Sequence, residues 1–181
     1  MPAVAALPQD AGNDVKEGPT GEPWVPRATR RGIISPALNL VPMRSTGIHH
    51  VDLVVSSIER SLPFYRDLLG PLGWHGITEV EGERGETIYY LWGPGSSVGL
   101  RQKLSEREGP VDRYEVGLHH LCFEARSRGV VDERADWLRE RGDTIESGPE
   151  EYGYQLGYYA VFFYDPDGIK IEIVHVPGHA A

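Results

Sequence analysis

Two short segments of the chain alternate apolar and polar residues, and the two segments also resemble each other. Residues 47–53 read GIHHVDL and residues 117–123 read GLHHLCF. Alternation with a period of two is typical of a β-strand with one buried face. The chain is therefore predicted to contain an internal repeat, and each copy is predicted to begin with a strand.

A helical pattern follows each of these strands. In the first copy apolar residues recur at helical spacing from Ile58 to Leu69, after the capping-box sequence SSIE. Pro63 lies inside this pattern and predicts a late start or a kink. In the second copy the pattern VxxxAxxL ends before Gly142, a residue suited to terminate a helix.

Strand-like segments fill the rest of each copy. They are residues 74–80, 87–92 and 97–103 in the first copy, and residues 144–147, 158–164 and 169–176 in the second. The predicted order is thus strand, helix, strand, strand, strand, twice. This order predicts an α+β fold of two tandem βαβββ modules, which form a curled mixed sheet around a shared cleft.

The N-terminal part of the chain has a different composition. Seven of the 14 prolines precede Ser45, and no sustained period is present there. Residues 1–45 are therefore predicted to be a flexible tail. One domain is expected at residues 46–176, with modules at 46–105 and 115–176, followed by a short C-terminal tail at 177–181.

Charge and composition restrict the partners of the protein. A formal net charge of −9 argues against a nucleic-acid backbone or an anionic membrane surface. No apolar run approaches the roughly 20 residues that a membrane-spanning helix needs. The single cysteine, Cys122, excludes an internal disulfide and favours a reducing compartment. We therefore expect a cytoplasmic protein that binds a small molecule.

Strand parity indicates which side chains face the cleft. In the repeat strands the more apolar positions are expected to pack on the helices, which places His50 and His120 on the opposite face. In the last strand, IKIEIV, the isoleucines face the helix side and Glu172 then faces the cleft. Two imidazoles and one carboxylate with open coordination positions are typical of a catalytic metal site. The shared cleft is thus predicted to hold one metal ion.

The histidines that precede the two predicted ligands are given no part in the metal site. His49 and His119 have the opposite strand parity. We expect them to pack or to form hydrogen bonds outside the cleft.

Several polar and aromatic side chains are candidates for substrate binding. Tyr154, Gln155 and Tyr158 come just before the strands that lead to Glu172, where tyrosine hydroxyls can donate to an oxyanion. Trp92 is a candidate aromatic wall of the cleft. Arg101 is a candidate for binding an anionic group. A plainer interpretation, packing or surface exposure, stays open for each of them.

Together these segments resemble the vicinal-oxygen-chelate superfamily, which includes glyoxalase I, extradiol dioxygenases, fosfomycin-resistance transferases and bleomycin-sequestering proteins. The resemblance covers residues 46–176 and rests on IHHV, SLPFYRDLLG, GLHHL and DPDGIKIE. It implies one divalent metal per site, Fe(II), Mn, Zn or Ni, held by His50, His120 and Glu172. It also implies a homodimer in which the two modules of a site can come from different chains.

Two departures from the family patterns bear on the reaction. Glyoxalase I carries a fourth ligand, a glutamate, on the last strand of its first module, but residues 96–102 contain no carboxylate and offer only Gln102 as a weak ligand. The extradiol dioxygenase signature has a histidine and a tyrosine where this chain has Gln155 and Phe162. Both departures leave the three predicted ligands in place.

The sequence thus predicts a metal-dependent enzyme that chelates a small oxygenated substrate through two adjacent oxygens. The expected chemistry is that of a dioxygenase or of a glyoxalase-like lyase, with Glu172 as a ligand that can also act as a base. Two alternatives stay open, a protein that sequesters a drug or natural product and a thiol transferase of the fosfomycin-resistance type. Sequestering relatives usually lack the three ligands, so their retention favours an enzyme.

Overall fold

The structure is a computed structural model that describes residues 47–105 and 112–178. Most of the domain predicted at residues 46–176 falls within these ranges. The predicted N-terminal tail lies outside the described residues, and so do residues 179–181. Both tails therefore stay predictions.

The described chain contains the same order of elements twice. The first module consists of β1 (His50–Val55), α1 (Ile58–Leu69), β2 (Gly76–Glu81), β3 (Thr87–Trp92) and β4 (Ser97–Gln102). The second consists of β5 (Leu121–Glu124), α2 (Arg128–Arg141), β6 (Ile145–Glu151), β7 (Tyr159–Tyr164) and β8 (Lys170–His175). The predicted α+β fold of two βαβββ modules is confirmed. Neither of the two α-helices has the length and apolarity needed to cross a membrane, within the residues that the structure describes.

Each module forms its own four-stranded mixed sheet. The strand order is β1-β4-β3-β2 in the first, called sheet A, and β5-β8-β7-β6 in the second, called sheet B. β1 runs parallel to β4 and β5 runs parallel to β8, whereas the other neighbours are antiparallel. Among the described residues, β1 and β5 are therefore edge strands, each with one side that pairs with no strand.

The larger of two hydrophobic clusters among the described residues is a core that joins the two modules. Core-side residues of both sheets belong to it, including Leu53, Phe123 and Ile173, together with the apolar faces of both helices. The helices also contact each other, since the ring centroids of Phe64 and Trp137 are 5.7 Å apart. The opposite face of each sheet points away from this core.

The start of α1 differs in detail from the sequence pattern. Ser57 rather than Ser56 caps the helix, because its Oγ accepts a hydrogen bond from the backbone N–H of Arg60 at 3.3 Å. The helix begins at Ile58 and continues through Pro63, so a late start is not observed. Proline costs one intrahelical hydrogen bond. Burial of the apolar helix face in the shared core offsets this cost.

The turn before β8 connects the modules through buried polar groups. The hydroxyl of Tyr65 in α1 donates to Oδ2 of Asp165 at 2.8 Å. Oδ1 of Asp165 accepts from the backbone N–H groups of Asp167 and Ile169 at 2.9 and 2.7 Å. Burial raises the pKa of the Asp165 carboxyl, and burial next to that carboxyl raises the pKa of Tyr65 well above its ordinary value. These contacts hold α1 of the first module against sheet B.

Candidate functional site

The outward face of sheet B carries a buried carboxylate in contact with a histidine. Glu172, near the middle of β8, is only 2% exposed. Its Oε2 lies 3.1 Å from Nε2 of His120. Its Oε1 accepts a hydrogen bond from the hydroxyl of Tyr158. Burial and this hydrogen bond raise the pKa of Tyr158 well above its ordinary value, so at neutral pH the phenol keeps the proton that it donates.

Strand register accounts for this cluster. Glu172 lies between Cys122 on one side and Phe162 on the other, because β8 pairs with both β5 and β7. His120 stands immediately before β5, which begins at Leu121, so the strand is shorter at this end than the sequence pattern predicts. The imidazole of His120 lies edge-on to the ring of Phe162, with centroids 6.4 Å apart. The histidine thus reaches Glu172 from the end of its strand.

Cys122 is a neutral neighbour of the carboxylate. The residue as a whole is exposed. Desolvation of its thiol and the nearby charge of Glu172 nevertheless raise the thiol pKa well above its ordinary value. The thiol therefore stays protonated beside Glu172 at neutral pH.

A tyrosine-rich turn adjoins the Glu172 cluster. Tyr154 is 71% exposed and stacks on Tyr152, with ring centroids 5.7 Å apart. It also meets the ring of Tyr158 edge-on at 5.3 Å. Gln155 is exposed in the same turn, and its backbone carbonyl accepts a hydrogen bond from the Tyr158 N–H at 3.2 Å. Through Tyr158, this turn is connected to the carboxylate.

The outward face of sheet A carries the third predicted ligand. His50 is exposed at the start of β1, and its ring meets that of Tyr90 edge-on at 5.6 Å. Trp92 lies on the same face, where its indole Nε1 donates to Oγ1 of Thr78 at 2.8 Å. Tyr90 has the same strand parity as Trp92, so the alternation along β3 could have predicted that Tyr90 lies on this face.

Arg101, a predicted substrate-binding residue, is surrounded by carboxylates. It forms ion pairs with Glu83 and with Oε1 of Glu86, the latter at 2.8 Å. Its Nε lies 3.9 Å from Oδ2 of Asp52. The guanidinium charge is thus already balanced within the chain, which weakens the case for Arg101 as the group that binds an anionic substrate.

Ser97 is a member of this face that the sequence pattern does not identify. It lies directly opposite His50 in the register of β1 and β4. It is 2% exposed, and its Oγ has no hydrogen-bond partner among the described residues. Gln102, the weak candidate ligand, has other contacts, since its side chain bonds the backbone of Ser56 and Ile58 at 2.7 and 3.1 Å. The residue beside His50 on β4 is thus a serine.

The structure brings some of the predicted site residues together and separates others. His120, Glu172 and Tyr158 form one cluster on sheet B, whereas His50 lies on the outward face of sheet A. No group of three or more His, Cys, Asp or Glu side chains is placed to hold a metal ion within residues 47–105 and 112–178. His120 and Glu172 supply a nitrogen and an oxygen, a donor set that suits several divalent metals. His120 and Glu172 are therefore a pair of candidate metal ligands, called the half-site.

An apolar cavity opens where the edge strands of the two sheets approach each other. Its volume is about 470 Å³, and residues of both modules line it. Val51 lines it from sheet A and Phe123 from sheet B, with Trp74 contacting Phe123 at a centroid distance of 5.5 Å. Ile48, at its rim, is 68% exposed. The two unpaired strand edges therefore border an open apolar surface.

Comparison with known proteins identifies the class to which this fold and site belong. Residues 47–173 match the family model of the Glyoxalase/Bleomycin resistance protein/Dioxygenase superfamily. The chain belongs to this superfamily, and the resemblance inferred from its motifs is confirmed.

Individual relatives agree with this assignment. The uncharacterized Bacillus subtilis (strain 168) protein YqjT is 32% identical over 136 residues, which cover 70% of this chain and 97% of that protein. Glyoxylase I 4 of Arabidopsis thaliana is 31% identical over 142 residues, or 73% of this chain and 72% of that one. A glyoxylase/bleomycin resistance protein/dioxygenase domain from Frankia sp. EAN1pec shares the fold, with a TM-score of 0.62 at 24% identity and coverage of 74% and 95%.

Proposed function

We propose that this protein is a divalent-metal-dependent enzyme that binds a small oxygenated substrate through two adjacent oxygens. The observation that carries the proposal is the 3.1 Å contact between Nε2 of His120 and the carboxylate of Glu172. A carboxylate that is 2% exposed destabilises a protein unless its charge is compensated. A divalent cation bound by both groups would supply that compensation.

We further propose that the third ligand, His50, comes from a second copy of the chain. Each sheet turns one face to the shared core, and the faces that carry the predicted ligands point away from it. The unpaired edges of β1 and β5 border an apolar cavity that a second copy can cover. A complete site would then consist of His50 from one copy and of His120 and Glu172 from the other, and a symmetric dimer would contain two such sites.

The residues around this half-site have separate roles in the proposed reaction. A bound divalent metal would polarise the two substrate oxygens and stabilise negative charge that develops on them. Tyr158 holds Oε1 of Glu172 and so fixes the direction of the carboxylate. We assign to Glu172 the transfer of a substrate proton. The apolar side chains of Phe162 and Val174, both under 9% exposed, limit access of water to the carboxylate.

Among the reactions expected from the sequence, we favour a glyoxalase-like rearrangement over oxidative ring cleavage. Phe162, beside the ring of His120, has no group that could donate or accept a proton. Gln155, which stands in place of an acid–base histidine, lies in an exposed turn. The Arabidopsis relative named a glyoxylase is also consistent with this class.

Metal analysis tests the proposal directly. Protein purified anaerobically without chelator should contain about one divalent metal per chain, because a symmetric dimer has one site for each copy. The variants His50→Ala and Glu172→Gln should lose the metal, whereas the variant His75→Ala, which alters an exposed histidine outside the site, should retain it. Wild-type protein that binds no metal even after reconstitution would indicate a sequestering protein instead.

Mixing two inactive variants tests whether the site is shared between copies. A dimer of one His50→Ala chain and one Glu172→Gln chain would contain one intact site, since the second chain supplies His50 and the first supplies His120 and Glu172. Random exchange should therefore restore about one site for every four chains. A site built within one chain would give no recovery, because every chain in the mixture lacks one ligand.

A further inference from the structure

The two copies of the His-His sequence share a contact that the proposed metal site does not explain. Nδ1 of His49 lies 2.9 Å from Nδ1 of His50, and Nδ1 of His119 lies 2.7 Å from Nδ1 of His120. In both pairs the rings meet edge-on, with interplanar angles of 84° and 77°. The same geometry thus occurs in both modules, although the surrounding residues differ.

His49 and His119 also each contact an aromatic ring. The ring of His49 meets that of Trp92 at a centroid distance of 6.2 Å. The ring of His119 meets that of Tyr114 at 5.4 Å. In both copies an aromatic ring therefore contacts the first histidine, and that histidine contacts the candidate ligand. The aromatic contact restricts the orientation of the first imidazole.

From this geometry we infer that His49 and His119 are positioning residues, which accept a hydrogen bond from Nδ1–H of His50 and His120 and so direct Nε2 of each ligand to the metal. The inference rests on the proposed metal function. A neutral imidazole that binds a metal through Nε2 carries its proton on Nδ1, and that N–H needs an acceptor. Nδ1 of the preceding histidine is within hydrogen-bond distance in both modules.

The contact at sheet B supports this choice of nitrogen. Nε2 of His120 is the atom that faces Oε2 of Glu172, at 3.1 Å. Its Nδ1 faces His119. Nε2 is thus the nitrogen placed beside the second ligand, and Nδ1 is the nitrogen left for the supporting hydrogen bond.

Metal affinity of paired variants tests the inference. His49→Leu and His119→Leu remove the acceptor, and loss of such a supporting partner should weaken Zn²⁺ or Co²⁺ binding by about 10- to 100-fold. His49→Asn and His119→Asn place an amide oxygen near the position of Nδ1 and should restore most of the affinity. Dissociation constants are measured by competition with a chromophoric chelator, with His75→Leu as the control.

The outcomes separate this inference from the proposed function. One outcome is that the wild type binds metal while the leucine variants bind it with an affinity within about twofold of the wild type, a smaller change than loss of a supporting residue produces. In that case the positioning role is wrong and the metal site stands. Equal losses in the leucine and asparagine variants would also overturn the role. A wild-type protein that binds no metal would contradict the proposed function itself. In the Zn²⁺-loaded wild type, ¹⁵N NMR should find the ring proton of both ligand histidines on Nδ1, and a proton on Nε2 would contradict the inference.

Discussion

One hydroxyl group joins the two modules through the interior of the protein. Replacing Tyr65 with Phe removes the hydrogen bond to Oδ2 of Asp165 and leaves that oxygen buried without its donor. We expect the free energy of unfolding to fall by about 1–3 kcal/mol. Urea denaturation, monitored by circular dichroism, measures the change.

The matched control for this variant is Tyr154→Phe. The side chain of Tyr154 is 71% exposed, and its ring contacts survive the substitution. We expect its effect to stay within about 0.5 kcal/mol. Equal effects of the two substitutions would show that the Tyr65 hydroxyl does not stabilise the contact between the modules.

Glu146 is expected to make the stability of the protein fall in acid. Burial alone would raise the pKa of this carboxyl, but hydrogen bonds from Lys170, Tyr164 and Arg113 lower it from 4.5 to about 2. The folded state thus binds fewer protons than the unfolded state between these values. The resulting stabilisation is present above pH 4.5 and is lost as the pH falls toward 2.

The variant Glu146→Gln tests this pH dependence. It removes the titrating group, so the fall in melting temperature between pH 5 and pH 2 should be shallower than in the wild type, because one shifted carboxyl no longer contributes to it. Thermal unfolding across this pH range provides the comparison. Parallel curves for the two proteins would mean that Glu146 contributes no acid sensitivity.

At the scale of helices and strands, periodic patterns located the elements well. Both helices, the repeat strands and the face assignments follow from apolar spacing, because burial against one shared core imposes that spacing. The ends were less predictable. β5 begins only after His120, and α1 is capped by Ser57, not by Ser56, the first residue of the capping-box sequence. Local hydrogen bonds decide such ends, and several neighbouring residues could have formed them.

Two glycines at opposite ends of α2 should respond in opposite directions to the same change. A Cβ at Gly129 would meet only Oγ of Ser127, at 3.8 Å, so Gly129→Ala should stabilise the helix by up to about 1 kcal/mol. Gly142 ends the helix with a φ of 76°, a backbone conformation in which alanine costs about 1–2 kcal/mol. Gly142→Ala should therefore destabilise the protein by that amount.

Thermal unfolding of the two alanine variants measures both effects. A Cβ at Gly142 would meet open space and one at Gly129 would make an ordinary van der Waals contact, so steric overlap does not contribute at either position. A result of the same sign at both positions would contradict the assignment of the effects to backbone conformation.

At the scale of the whole molecule, the sequence identified the candidate ligands but not their spatial relation. Strand parity places His50, His120 and Glu172 on the sheet faces opposite the helices. It does not specify whether the two faces meet within one chain. The helices, packed between the sheets, turn these faces outward, and this depends on contacts such as Tyr65–Asp165 that no periodic pattern encodes. Local patterns likewise do not predict the strand register that pairs Ser97 with His50.

The proposed dimer predicts the effect of a charge at the open cavity. Ile48, which is 68% exposed at its rim, should become buried against the second copy. Ile48→Glu should therefore shift the protein from dimer to monomer, because a buried unpaired carboxylate is unfavourable. Sedimentation equilibrium measures the shift. The control Leu104→Glu changes a residue that is 55% exposed and lies outside this cavity, and it should leave the dimer intact.

A metal site shared between two copies, as proposed, has a consequence for how the activity depends on gene dosage. If every working centre needs two chains, the number of centres at low abundance rises with the square of the chain concentration. Below the dissociation constant of the dimer, halving expression would remove about three quarters of the catalytic capacity. A fall in synthesis would then lower the activity by more than the fall in chain concentration, with no inhibitor.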